Sequence, residues 1–120
     1  MTGMGFEPIH SEAQLQAHVA RPACMVLFGG AHCGVCQAIR PRLQALIAAR
    51  FADIALAYVD CEQAPAVCAQ HSVFSLPVLR LYLDGQLALE RARSFSLLEV
   101  EAELARLHAL WRGDPPPRCP

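Results

Sequence analysis

With 120 residues, the chain is long enough for one domain with a real core and too short for two. Its formal net charge is -1, so it lacks the excess of positive charge that is typical of proteins that bind nucleic acid. Hydrophobic residues make up 54% of it, yet every apolar run ends well before the roughly 20 residues that a membrane span needs. We therefore expect neither nucleic acid nor a membrane as a partner.

The N-terminus and the cysteine count bear on the compartment. Residues Met1 to His10 have neither the basic nor the apolar region of a cleaved export signal. Six cysteines in such a chain are typical of reduced thiols plus one active dithiol rather than of a disulfide framework. These observations predict a cytoplasmic location.

The first third of the chain predicts a strand, a helix and a second strand. Residues 6–9 are expected to form a short edge strand, and residues 11–14 have the capping-box pattern of a helix that runs to about Ala20. Arg21-Pro22 ends that helix. The continuous apolar run from Cys24 to Gly29 predicts a central strand buried on both faces.

The middle of the chain predicts a parallel βαβ unit. Apolar residues recur at helical spacing after Cys33, with Pro41 as a kink inside the pattern: Ile39, Leu43, Leu46, Ile47 and Phe51. Residues 54–59 read as the next buried strand, and residues 65–70 as a short helix that starts with proline. Strand, helix and strand at this spacing indicate a parallel pair.

The last third predicts a hairpin and a final helix. Residues 78–83 and 86–90 flank the turn Asp84-Gly85 as antiparallel strands, so the sheet is mixed. Ser96 opens a capping box for a helix whose apolar stripe is Leu97, Val100, Leu104, Leu107 and Trp111. We predict an α/β domain over residues 1–112, a central mixed β-sheet flanked by helices on both faces, and a flexible Pro-rich tail over residues 113–120.

The run His32-Cys33-Gly34-Val35-Cys36 carries the chemistry. Two residues of separation let the two sulfurs close a disulfide within one helical turn. The start of a helix also stabilises a thiolate, because its free N–H groups and positive dipole end face the sulfur. The motif therefore predicts thiol–disulfide exchange.

Over residues 6–111 the chain resembles the thioredoxin family. Four features carry the resemblance: Cys33-Gly34-Val35-Cys36 at a strand-to-helix junction, Pro41 inside that helix, Leu76-Pro77 before the hairpin, and Asp84-Gly85 at its turn. The resemblance implies the thioredoxin fold and a protein-disulfide oxidoreductase. It also implies protein disulfides as substrates, an external reductase for recycling, no bound cofactor, and a monomer.

The resemblance implies a role for each matching residue. Cys33 corresponds to the nucleophile that attacks a substrate disulfide, and Cys36 to the buried thiol that resolves the mixed disulfide. Pro77 corresponds to a cis-proline facing the dithiol, and the backbone of Leu76 to the segment that pairs with substrate. Gly34 and the two neighbours that differ from the family pattern, His32 and Val35, are predicted to support the reaction of the dithiol.

The chain departs from the family pattern at three positions. His32 and Val35 stand where tryptophan and proline are usual, and a protonated His32 would favour the Cys33 thiolate. Leu27 stands where the family commonly has a buried acid that manages the proton of the resolving thiol. Without a base nearby, Cys36 is expected to ionise reluctantly, and His32 or water are the candidate substitutes.

The cysteine pair has alternative interpretations. Two packed cysteines that never react are disfavoured by their place at a helix start. Zinc needs four nitrogen or sulfur ligands, and haem attachment needs a histidine where Gln37 stands. The further zinc ligands would have to come from His32, Cys61, Cys68 and His71. We predict no metal site.

The other cysteines and histidines are predicted to have no part in the chemistry. Cys24 is expected to be a small core residue, and Cys119 to be exposed on the tail and able to pair between chains. Cys61 and Cys68 are predicted bystanders, because seven helical residues span about 10 Å, beyond the roughly 7 Å Cα limit for a disulfide, unless Pro65 bends the path. His71 is predicted at the surface or in a loop, and the histidines expected to be solvated are His10, His18 and His108.

Two functions follow from the sequence. The first is a thioredoxin-like oxidoreductase, and the second is a thioredoxin-fold binding or assembly module with a weak or regulatory dithiol. Replacing Cys33 with Ser should abolish disulfide reduction under the first and leave partner binding intact under the second.

Overall fold

Five strands and four helices make up the computed structural model, which describes residues 5–113. The elements in chain order are β1 (Glu7–Ile9), α1 (Glu12–Val19), β2 (Ala23–Gly29), α2 (Gly34–Arg50), β3 (Ala55–Asp60), α3 (Pro65–Gln70), β4 (Val78–Leu83), β5 (Gln86–Ala92) and α4 (Leu97–Arg112). The sequence predicts each of these, with ends within a few residues. Cys119 and the rest of the tail beyond Gly113 lie outside the described residues.

The strands form one mixed sheet in the order β1-β3-β2-β4-β5. The β2 strand pairs in parallel with β3 and antiparallel with β4, and all seven of its residues are buried. The predicted central strand and mixed sheet are therefore confirmed. Strand β5 extends to Ala92 rather than Glu90, with a register irregularity opposite Leu81 and Tyr82.

Side chains from β2 alternate between two apolar clusters, one on each face of the sheet. Met25 and Leu27 pack in the cluster that includes residues of α2 and α4, whereas Val26 and Phe28 pack in the cluster with residues of α1 and α3. Alternation of this kind is what a strand buried on both faces requires. The prediction of helices on both faces is confirmed.

Side-chain caps and a proline mark the helix boundaries. The Oγ atoms of Ser11 and Ser96 accept from backbone N–H groups three residues on, at 3.2 Å and 3.4 Å, as the capping pattern predicts. Pro41 lies inside α2, which continues to Arg50. Gly113 ends α4 at φ 82°, a left-handed conformation that favours glycine. Within the described range, no helix is long and apolar enough to cross a membrane.

The prediction that His18 is solvated is wrong. It lies one helical turn after Leu15 on the same face of α1, and only 1% of it is exposed. Its Nε2 donates to the Met25 carbonyl at 3.3 Å, and burial lowers the pKa of the imidazole. The prediction also fails for His108, whose mostly covered ring pairs with Asp53 at 2.9 Å, whereas His10 is exposed as expected.

The prediction that Cys61 and Cys68 are bystanders is also wrong, because they form a disulfide with a Cα separation of 5.7 Å. The prediction places Cys61 and Cys68 too far apart because it assumes that the whole segment between them is helical. In the structure α3 begins only at Pro65, and the turn before it brings Cys61 back over the helix. Cys24 is fully buried as predicted, and burial raises the pKa of its thiol to about 11.

Candidate functional site

The Cys33–Cys36 disulfide lies where the central strand passes into α2. Cys33 is the N-cap of α2, and its sulfur accepts from the Cys36 N–H at 3.2 Å. The two Cα atoms are 5.2 Å apart in the disulfide. Cys33 is partly exposed, whereas Cys36 is fully buried. Of the two cysteines, Cys33 is therefore the one open to another molecule.

Two glycines at the end of β2 let neighbouring groups approach the disulfide. A Cβ on Gly29 would lie 2.8 Å from the Tyr58 hydroxyl and 3.0 Å from the Cys36 Cβ. A Cβ on Gly30 would lie 2.8 Å from a carboxylate oxygen of Glu62. Residues larger than glycine would therefore displace the groups that surround the site.

Glu62 holds His32 in place beside the disulfide. One carboxylate oxygen accepts from the His32 ring Nδ1 at 2.8 Å, and the other accepts from the His32 backbone N–H at 3.0 Å. The hydrogen bond to Glu62 raises the pKa of His32, and the two bonds from His32 lower the pKa of Glu62. Because the ring is almost fully exposed, solvent screens this pair strongly.

Pro77 lies at the edge of the sheet at which β2 ends. Val78 pairs with Phe28 in the antiparallel register, so Pro77 precedes β4 opposite the last residues of β2. The Leu76–Pro77 peptide bond is cis. The buried Pro77 presents its carbonyl to the Arg93 N–H at 2.7 Å, while Leu76 remains partly exposed.

The other motif residues differ in their surroundings. Gly34, in the first turn of α2, would have no atom within 4 Å of an added Cβ. Val35 is 53% exposed and lines a shallow cleft with Phe95, Leu97 and Leu98 of the α4 end. Leu27, at the position where the family commonly has a buried acid, is fully buried in the core. The side chain there is apolar and offers no carboxylate to Cys36.

No group of three or more metal-ligating side chains comes together within residues 5–113. The zinc alternative also loses two of its candidate ligands, because Cys61 and Cys68 are bonded to each other. His71 instead pairs with Glu12, at 2.9 Å from its Nε2.

Glu62 and Tyr58 are neighbours of the site that sequence reasoning missed. Glu62 follows Cys61 in the turn after β3, thirty residues from the histidine that it binds. Tyr58 is the β3 residue paired with Leu27. Because β2 and β3 are parallel, their carboxyl ends lie side by side at the edge of the sheet that holds the disulfide. Polar residues at and after the end of β3 were therefore the available signal for neighbours of the site.

Two cysteines that close a disulfide at the start of a helix, beside a mixed five-stranded sheet, are typical of a thiol–disulfide oxidoreductase. The thioredoxin family model matches residues 8–104, and the chain belongs to the thioredoxin family. Proteins of this family act on protein disulfides and are recycled by reductases.

Individual known proteins resemble the chain in sequence or in fold. A thioredoxin-like protein of Bacillus subtilis, YdfQ, is 33% identical over 97 residues, covering 81% of this chain and 78% of that protein. A mutant thioredoxin from Halobacterium salinarum superimposes with a TM-score of 0.76 at 19% identity, over 100% of this chain and 98% of the other. The thioredoxin of Trypanosoma brucei brucei gives 0.79 at 17% identity, over 89% and 94%. The two structures share the fold.

Proposed function

We propose that the chain exchanges disulfides with protein substrates through the Cys33–Cys36 couple. The observation that carries the proposal is the unequal exposure of the two bonded cysteines at the N-terminus of α2. Cys33 is the nucleophile, because it is the accessible sulfur and because helix N–H groups stabilise its thiolate. Cys36 is the resolving residue.

Reduction of a substrate proceeds in two exchanges. The Cys33 thiolate attacks one substrate sulfur, which forms a mixed disulfide and releases the other substrate sulfur as a thiolate. The Cys36 thiolate then attacks Cys33, which forms the intramolecular disulfide and releases the second substrate sulfur. The substrate gains two electrons and two protons, and the dithiol loses them.

The neighbouring residues support these exchanges. A protonated His32, which the Glu62 hydrogen bond favours, adds positive charge beside Cys33. Gly34 and the exposed Val35 leave the face of the disulfide open. Pro77 faces the dithiol, and the backbone of Leu76 pairs with an extended substrate segment.

We further propose a monomer that works in the cytoplasm with no bound cofactor. An external reductase recharges the dithiol, as the recycling of thioredoxin-family proteins suggests. The Cys61–Cys68 disulfide is unusual for a reducing compartment, so this part of the proposal requires that the bond resist or cycle with the cellular reductant.

The test compares three full-length variants in insulin reduction by dithiothreitol. Cys33→Ser should lower the rate to that of dithiothreitol alone. Cys36→Ser, reduced and then mixed with insulin after the dithiothreitol has been removed, should accumulate a mixed disulfide that mass spectrometry detects. Cys119→Ser, the matched control, should retain the parent rate. If Cys33→Ser kept the parent rate, or if no Cys33–Cys36 disulfide formed at any glutathione ratio, the oxidoreductase proposal would fail and the binding-module alternative would stand.

A further inference from the structure

The Tyr58 hydroxyl is a buried polar group that neither of the two proposed exchange steps uses. Tyr58 is only 6% exposed, and its hydroxyl makes no hydrogen bond of good geometry among the described residues. The Gln37 side chain lies near enough to lower the pKa of the phenol, but its Nε2 donates to the Gly30 carbonyl at 3.1 Å. Buried hydroxyls in native proteins are nearly always hydrogen-bonded. An unpaired one therefore calls for a partner in another state of the protein.

The hydroxyl and Cys36 border the same small space. The position of an added Gly29 Cβ lies 2.8 Å from the Tyr58 oxygen and 3.0 Å from the Cys36 Cβ, so both groups border the space that the glycine leaves free. Cys36 is fully buried, and the β2 residue paired with Tyr58 is Leu27, which has no polar atom in its side chain. In the oxidised protein the Cys36 sulfur is bonded to Cys33 and carries no charge.

We propose that Tyr58 donates a hydrogen bond to the Cys36 thiolate when the disulfide is open, and so sets the rate of the resolving exchange. This inference rests on the proposed function. Before the second exchange Cys36 loses its proton, and the departing substrate thiolate takes one up, so the charge balances. During that interval a negative sulfur is buried away from water, where a hydrogen-bond donor stabilises it strongly.

Tyr58 acts as a donor and not as the base. Burial raises the pKa of its phenol, and the nearby carboxylates of Asp60 and Glu62 act in the same direction, so the O–H keeps its proton. Arg40 and Gln37 oppose that shift. The Arg40 guanidinium lies 3.8 Å from the centre of the Tyr58 ring, where its charge makes the phenol a better donor.

The test separates the two exchanges with Ellman's reagent, an aromatic disulfide that releases one coloured thiolate at each step. The parent is the full chain with Cys61, Cys68 and Cys119 replaced by Ser, since the buried Cys24 has a high pKa and reacts slowly. Tyr58→Phe in this parent removes one oxygen and, apart from the contact of that oxygen with the Gln37 side chain, no hydrogen bond of the oxidised protein, so it is expected to fold about as stably. Tyr82→Phe, on β4, is the matched control.

Loss of one hydrogen bond to a charged group should reduce the thiolate fraction by roughly tenfold or more, which raises the pH midpoint of the second release by about one unit. A less stabilised thiolate is also more nucleophilic, so the second release should be about threefold slower below the midpoint and about threefold faster well above it. The first release should be unchanged. A purely structural role for the hydroxyl would not produce this crossing of the two pH profiles.

Each other outcome overturns the inference. An unchanged midpoint for the second release, with a normal first release, refutes the role of Tyr58 and leaves the proposed function standing. Equal shifts in Tyr58→Phe and Tyr82→Phe would also refute it. Absence of the first release in the parent would overturn the proposed function and the inference together.

Discussion

His32 shows how one contact from a distant turn changes the chemistry of an exposed side chain. Glu62 accepts from both its ring and its backbone, so the charged imidazole is favoured next to Cys33. The hydrogen bond to Glu62 is the main cause of the raised pKa of His32. The effect is electrostatic and local, and it adds little to the stability of so exposed a pair.

Replacing Glu62 with Gln should therefore lower the pKa of His32 towards its ordinary value. The amide keeps an acceptor but loses the negative charge that favours the imidazolium. A proton NMR titration of the His32 ring measures the shift. Glu101→Gln is the control. It removes the charge on α4 that pairs with Arg50 of α2, and it should leave the His32 pKa unchanged. An identical His32 titration in Glu62→Gln would contradict the observed pairing.

The sequence could predict Cys33 and Cys36 as a pair because their chemistry is contained in four consecutive residues. It could not predict the Glu62 contact, because that depends on how the turn after β3 packs against the loop before α2. The burial of His18 was within reach, since it shares the helix face of Leu15. The helical spacing does not reveal its partner, however, because the Met25 carbonyl belongs to another element.

At the scale of elements, β2 must end in glycine because α2 and β3 both crowd its last residue. The nearest atoms to an added Gly29 Cβ are the hydroxyl of the buried Tyr58 and the Cβ of Cys36, and neither can move without disturbing the core. Overpacking of this kind forces shifts in the surrounding structure.

Gly29→Ala is expected to lower the free energy of unfolding by about 1–3 kcal/mol. Urea denaturation followed by circular dichroism measures the change. Gly34→Ala is the matched control, because a Cβ there would meet no atom within 4 Å, and it should be neutral or slightly stabilising in a helix. Equal midpoints for parent and Gly29→Ala would show that the site at the end of β2 is looser than the structure has it.

The elements themselves were largely predictable, because apolar periodicity, two serine caps and the Asp84-Gly85 turn are local signals. The Cys61–Cys68 disulfide was not, because its prediction depends on where a short helix begins. Pro65 at the first turn of α3 was the available signal, since it leaves residues 61–64 free to turn back.

Removing the Cys61–Cys68 disulfide should destabilise the chain by about 2 kcal/mol, because the bond restricts a short loop of the unfolded state. A chain with Cys33 and Cys36 both replaced by Ser isolates this bond. Its urea midpoint should fall on addition of dithiothreitol. The same chain with Cys61→Ser and Cys68→Ser should not respond to the reductant, and a response there would assign the effect to another cause.

At the scale of the whole molecule, His18 makes stability depend on pH. Its folded pKa lies below the unfolded value of about 6.5, so the unfolded chain binds its proton first as pH falls. The contribution of the neutral, buried ring is therefore fully present above that value and is lost as pH falls below it. The ring faces the carboxylate of Glu7 at 3.6 Å and the charge of Arg21, which act in opposite directions on its pKa.

We expect His18→Gln to flatten the pH dependence of unfolding. The free energy of unfolding, measured in urea between about pH 8 and about pH 5, should decline less in the variant than in the parent as pH falls through about 6.5. His10→Gln, at an exposed position, should keep the parent slope. A variant slope equal to that of the parent would place the proton uptake elsewhere.

The Cys61–Cys68 bond also sets the number of electrons that complete reduction of the protein takes up. Because residues 5–113 hold two disulfides, complete reduction takes up four electrons per molecule, twice what the dithiol alone would take. An equilibrium redox titration should then resolve into two two-electron waves unless the couples share one potential. The amount of reductant consumed per chain thus reports whether the Cys61–Cys68 disulfide stays oxidised as a structural bond or is reduced along with the Cys33–Cys36 couple.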